Sequence, residues 1–84
     1  MLNRLGLEDT VVVITGGGTG LGLAMVRALA RAGASICIAG RRVAPIEEAA
    51  NEIAQLGGNA LAVQADVSDS SQVDRLISTT VDHF

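Results

Sequence analysis

Lysine, tyrosine and tryptophan are absent from this chain, and cysteine, proline and phenylalanine occur once each. Without lysine no phosphate-binding P-loop can form, because that loop needs a lysine to reach the phosphates. Without tyrosine, any chemistry that needs a phenolic proton donor must come from elsewhere. The lone Cys37 excludes an internal disulfide framework and suits a reducing compartment, so a cytoplasmic location is expected. All six basic residues are arginines, and nine acidic residues outnumber them for a net charge of −3. That balance leaves no electrostatic footprint for nucleic acid or an anionic membrane, and neither is expected as a partner. The apolar runs stay far below the roughly 18 residues of a membrane span, and the leading MLNRLGLED has no long apolar h-region.

What the chain has in quantity is apolar residues, 49% of the total, and ten glycines. At 84 residues it makes at most one domain, here residues 1–84. A domain of this size buries only about 60–65% of the surface its unfolded chain exposes, so marginal stability is expected. Five of the glycines fall in the eight residues TGGGTGLG, Thr15 to Gly22. Glycine is entropically costly wherever the backbone is fixed, so such a cluster marks shapes or close approaches that side chains would forbid.

The rest of the chain alternates between two periods. Val11 to Ile14 is a short β-branched run suited to a strand buried on both faces. After the glycines, Leu21, Ala24, Met25, Ala28, Leu29 and Ala32 recur at helical spacing, Arg27 and Arg31 lie on another face, and Gly33 is placed to stop the helix. Ile36 to Ala39 reads as a second strand. Pro45 suits the first turn of a second helix whose apolar stripe is Ile46, Ala49, Ala50, Ile53 and Leu56 and whose exit is Gly57-Gly58. Its Glu47, Glu48 and Glu52 read as a solvated face. Residues 60–65 form a third strand, less pure because of Gln64, and Asp66-Val67 closes it. Asp69 with Gln72 offers an N-cap, and Val73, Leu76, Ile77, Thr80, Val81 and Phe84 mark a third helix.

This order predicts an α/β fold, a Rossmann-type βαβαβα half with a three-stranded parallel sheet in the order 3-2-1. It is half of a doubly wound fold, and a fourth strand would pack on the free side of the first. In such a fold ligands lie outside the carboxyl ends of the strands, and the first strand-to-helix turn aims backbone N–H groups at an anion. The glycines therefore make room for a dinucleotide pyrophosphate.

The pattern G-x-G-x-x-G does not fit, since it would put glycine at position 21, which is Leu21. The residues match T-G-x-x-x-G-x-G through Thr15, Gly16, Gly20 and Gly22. Here the chain resembles the short-chain dehydrogenase/reductase (SDR) family, from Leu7 to Phe84. The resemblance implies that the backbone at Gly16, Thr19, Gly20 and Leu21 holds the cofactor phosphates and that Gly22 permits close helix packing. It also implies that Asp66, in the Asp66-Val67 pair, meets the adenine amino group. An acid at the end of the second strand would accept from the 2′-OH of NAD(H) and repel the extra phosphate of NADP(H). Gly40 occupies that place and Arg41 follows, a planar paired donor for a phosphate, with Arg42 as a weaker candidate. NADP(H) is therefore the expected cofactor.

No catalytic and no metal-ligating residue is assigned. The family's proton-donating Tyr, the Lys four residues later and the Asn-Asn-Ala-Gly segment are all missing, so the chain reads as the N-terminal piece of a longer oxidoreductase and as inactive alone. His83, the lone histidine, reads as a surface residue, and Cys37 as core. By the resemblance, the full-length protein would be a homo-oligomer acting on a small-molecule carbonyl, alcohol or enoyl substrate, and TGGGTGLG with GRR is similar to the 2,4-dienoyl-CoA reductase branch. The alternative function is a non-catalytic nucleotide-binding or interaction module, self-associating through an open first-strand edge.

Overall fold

The computed structural model describes residues 9–16 and 20–84. Strands β1 (Val11–Thr15), β2 (Ser35–Gly40) and β3 (Asn59–Gln64) alternate with helices α1 (Gly20–Arg31), α2 (Val43–Gln55) and α3 (Ser70–His83). The strands form one parallel sheet in which β2 lies between β1 and β3, the expected 3-2-1 order. β3 starts and stops one residue earlier than the pattern of residues 60–65 predicts.

β2 organises the core. Ile36, Cys37, Ile38 and Ala39 have no exposed surface. Because successive side chains leave a strand on opposite faces, these four divide between two layers. Ile36 and Ile38 pack with Ile14, Val26, Ile46, Ala49 and Ile53, beneath α1 and α2. Cys37 and Ala39 pack with Ala65 and Leu76, beneath α3. Two successive right-handed crossovers in one direction place α1 and α2 on the same face. α3 takes the opposite face, the one used by a crossover running back towards β1. Burial pushes the Cys37 thiol above its usual range, which suits an inert core residue.

The glycine exit of α2 is a Schellman cap. Gly57, at φ +85°, donates its N–H to the Ala54 carbonyl at 3.0 Å, and Gly58 donates to that of Ile53 at 2.9 Å. The buried face of α2 is Ile46, Ala49 and Ile53, as its spacing predicts, although Leu56 is exposed. In α1 the expected stripe holds only in part, at Leu29. Leu21, Ala24, Met25 and Ala28 are exposed, and the helix is anchored by the fully buried Val26 with Leu23, Leu29 and Ala30 packed alongside. Apart from its arginines α1 is apolar on every side, so periodicity does not select which side meets the sheet. In α3 only Leu76 and Thr80 are buried, while Ile77, Val81 and Phe84 of the expected stripe are exposed. Arg27 of α1 reaches Glu52 of α2 in a two-pronged pair at 2.5 and 2.9 Å, which gives one member of the solvated glutamate face a structural partner.

Candidate functional site

The parallel register brings the carboxyl ends of all three strands to one rim. Gly16 donates its N–H to the Ala39 carbonyl at 2.8 Å, and Ala65 donates to that of Gly40 at 2.9 Å, so the three exits are laced side by side. Between them opens a cleft of about 490 Å³, within the roughly 300–1,000 Å³ of small-molecule sites. Thr15 and Gly16 line it from the first exit, Gly40 and Arg41 from the second, and Ala65 to Ser68 from the third.

Gly16 sits at φ +70°, in the left-handed region, and a Cβ built there would meet no atom of the described residues within 4 Å. Backbone conformation alone therefore selects glycine, and the space beside it is open to a ligand. Gly20, at φ +57°, starts α1 with the same open surroundings. Leu21 and Gly22 follow in the first helical turn, with the Leu21 side chain 78% exposed. Neither lines the cleft. Thr19 lies outside the described residues.

Asp66 is held by its own turn. Its Oδ1 accepts from the Ser68 N–H at 3.0 Å and from the Ser68 hydroxyl at 2.7 Å, an Asx turn. Its backbone N–H donates to Gln72 Oε1 at 2.7 Å. The Ser68 hydroxyl and N–H, with a smaller contribution from the Arg41 charge, hold the carboxyl below its ordinary value. The group is thus an ionised acceptor at neutral pH, with Oδ2 turned to no protein donor among the described residues. Val67 is half-exposed on the same rim. Asp69 caps α3 by accepting from the Ser71 N–H at 3.0 Å, and Gln72 serves both acids, its Oε1 accepting from the Asp66 N–H and its Nε2 donating to Asp69 Oδ2 at 3.3 Å.

Arg41 is exposed at the cleft and its carbonyl is held by Gln64, whose Nε2 donates to it at 3.0 Å. Arg42, the other candidate cation, is the N-cap residue of α2 in an extended conformation and lies outside the cleft lining. Gly40 carries no acid between them and the strand. Gln64, Ser68 and Gln72 were not legible as site residues: Gln64 reads as a flaw in a strand and Gln72 as part of a helix cap, and Ser68 carries no signal of its own.

A second cleft, of about 510 Å³, lies at the amino ends of the strands, lined by Asp9, Val11, Ser35, Asn59, His83 and Phe84. There His83 stacks edge-on against Phe84 with ring centroids 4.7 Å apart. His83 is thus at the opposite end of the sheet from Gly16, Arg41 and Asp66. Among the described residues, no three His, Cys, Asp or Glu side chains are grouped to hold a metal, and no helix is long and apolar enough to cross a membrane.

A cation, an ionised acceptor and an open glycine backbone on one rim suit a ligand that carries both phosphate and an amino donor. Comparison with known proteins gives the same direction. The family model described as short chain dehydrogenase matches residues 10–84. The uncharacterised oxidoreductase YxnA of Bacillus subtilis is 36% identical over 78 residues, 93% of this chain and 22% of that protein. A 3-ketoacyl-ACP reductase from Sinorhizobium meliloti superposes with a TM-score of 0.85 at 42% identity, over 88% of this chain and 29% of that one. A hydroxysteroid dehydrogenase from Escherichia coli superposes with a TM-score of 0.91 at 28% identity, over 96% and 33% respectively. The chain thus spans a third or less of the length of these proteins.

Proposed function

The chain belongs to the short chain dehydrogenase family, whose members use nicotinamide cofactors, and from that premise we propose that residues 1–84 hold the adenosine and pyrophosphate portion of NADP(H). The whole protein would then be an oxidoreductase that moves a hydride between the nicotinamide ring and a small carbonyl, alcohol or enoyl substrate. The hydride chemistry belongs to the cofactor when bound. This chain's residues bind and orient it.

The observation that carries the reading is the joint placement of Gly16, Arg41 and Asp66 on one cleft, with Gly40 supplying no acid. The first turn of α1, at Gly20 and Leu21, would receive the phosphates through N–H groups, Gly16 would let them approach because it carries no Cβ, and Gly22 would permit close helix packing. Asp66, ionised and braced by Ser68 and Gln72, would accept from the adenine amino group, beside Val67. Arg41 would offer paired donors to the 2′-phosphate, where charge-assisted bonds are worth about 1.5–3 kcal/mol each. Arg42, at the N-cap of α2, would add charge at longer range.

No side chain here is assigned to proton transfer. The oxidoreductases among the relatives favour this reading over a non-catalytic module. The test is steady-state kinetics of the whole enzyme with NADPH and NADH, for wild type and Arg41→Ala. The variant is expected to lose most of the NADPH preference. An unchanged ratio of kcat/KM values would overturn the role of Arg41.

A further inference from the structure

Arg41 is useful to a phosphate only if its side chain starts from a fixed point, and the root of that side chain is held from the third strand. The direction of a Cα–Cβ bond follows from the two peptide planes that flank the Cα atom. For Arg41 both planes are tied to the end of β3. The plane before it carries the Gly40 carbonyl, which accepts from the Ala65 N–H at 2.9 Å. The plane after it carries the Arg41 carbonyl, which accepts from Gln64 Nε2 at 3.0 Å. Gln64 is itself held, since its own carbonyl accepts from an Arg75 guanidinium nitrogen at 2.6 Å. The line of support runs from α3 through β3 to the loop that leaves β2.

We propose that Gln64 is a positioning residue for cofactor selectivity, acting through the Arg41 carbonyl rather than by touching the cofactor. The inference rests on the reading of Arg41 as the 2′-phosphate ligand. The hydrogen bond is solvent-exposed, so water replaces it at little cost to the fold when it is removed. What is lost is the fixed direction of the Arg41 side chain, which must then be ordered at the moment of binding. The effect therefore falls on discrimination between the two cofactors more than on stability.

The experiment is a double-mutant cycle on the whole enzyme with Gln64→Met, Arg41→Ala and the double variant, reading kcat/KM for NADPH and NADH and the thermal midpoint. Met preserves the length of the side chain and removes the donor. Gln64→Met is expected to lower the NADPH/NADH ratio about threefold to tenfold, the range of one neutral hydrogen bond, with the loss in KM for NADPH. In the Arg41→Ala background the same change is expected to leave the ratio where Arg41→Ala alone put it, because the residue through which Gln64 acts has gone. If Arg41→Ala itself does not move the ratio, the 2′-phosphate reading fails and this inference falls with it. If Arg41→Ala collapses the ratio but Gln64→Met leaves it unchanged, or lowers it equally in both backgrounds, the positioning role alone is wrong. A Gln64→Met variant whose NADPH and NADH constants fall together with its thermal midpoint assigns Gln64 to stability and overturns the role in selectivity.

Discussion

A Cβ atom on Gly40 would stand 3.1 Å from Cγ2 of Ile46. That methyl would have to give by a few tenths of an ångström, and Ile46 is buried in the first layer of the core, where packing opposes the shift. The position proposed to read the cofactor ribose is therefore also one where the core favours the smallest residue. Gly40→Asp is expected to shift preference towards NADH by about tenfold or more, since a carboxylate there accepts from a 2′-OH and repels a 2′-phosphate. It is also expected to lower stability by about 1 kcal/mol through the contact with Ile46. Pairing it with Ile46→Leu, which takes the Cγ2 methyl off the β-carbon at nearly constant volume, should recover much of the stability while keeping the new preference. Kinetics with both cofactors and denaturant midpoints check the two halves separately.

Gly16→Ala separates conformation from space. The added methyl meets no atom of the described residues, so the cost expected is that of the φ of +70°. About 1–2 kcal/mol is expected from forcing an L-residue into the left-handed region. Urea unfolding of wild type and variant measures it, and a cost near zero would mean that the turn relaxes out of that conformation.

Acid should loosen the third exit first. The Ser68 hydroxyl and N–H hold the Asp66 carboxyl below its ordinary value of 3.8, and the Ser71 hydroxyl and N–H do the same for Asp69. A depressed carboxylate pKa stabilises the folded state fully above the unfolded value and loses that contribution as pH falls through the folded one. Stability is thus expected to be flat in these groups above about pH 5 and to decline below pH 4. Ser68→Ala removes the largest cause of the Asp66 depression, so it should make that decline shallower without moving its onset, as read from thermal midpoints across the range.

The pair between Arg27 and Glu52 is short, yet both side chains are more than a third exposed. Arg27→Met, which keeps much of the aliphatic stem, is expected to cost no more than about 1 kcal/mol, and the cost should shrink in high salt. A larger, salt-independent loss in a denaturation series would assign Arg27 a packing role between α1 and α2.

These elements differ in how plainly the residues announce them. α2 has one apolar face and a glycine exit, so Ile46, Ala49, Ile53 and Gly57 can be placed from spacing alone. α1 is apolar nearly all round, and its exposed Leu21 and Met25 look no different in sequence from its buried Val26. The meeting of Gly16, Arg41 and Asp66 was legible because a parallel sheet aligns its strand exits. Gln64 was not, because its contribution is one side-chain hydrogen bond to a backbone atom 23 residues away, and no local pattern encodes such a bond.

β2 is paired on both edges and carries four residues with no exposed surface, whereas β1 and β3 flank it on either side. In native-state hydrogen exchange the amides of Ile36 to Ala39 should therefore report the last cooperative unit to open, with β1 and the ends of α3 exchanging through smaller fluctuations. Gly40 and Arg41 continue directly from that unit. The segment proposed to set cofactor choice is thus expected to be anchored to the last unit to open, so that partial openings that expose β1 or fray the ends of α3 leave its attachment to β2 intact.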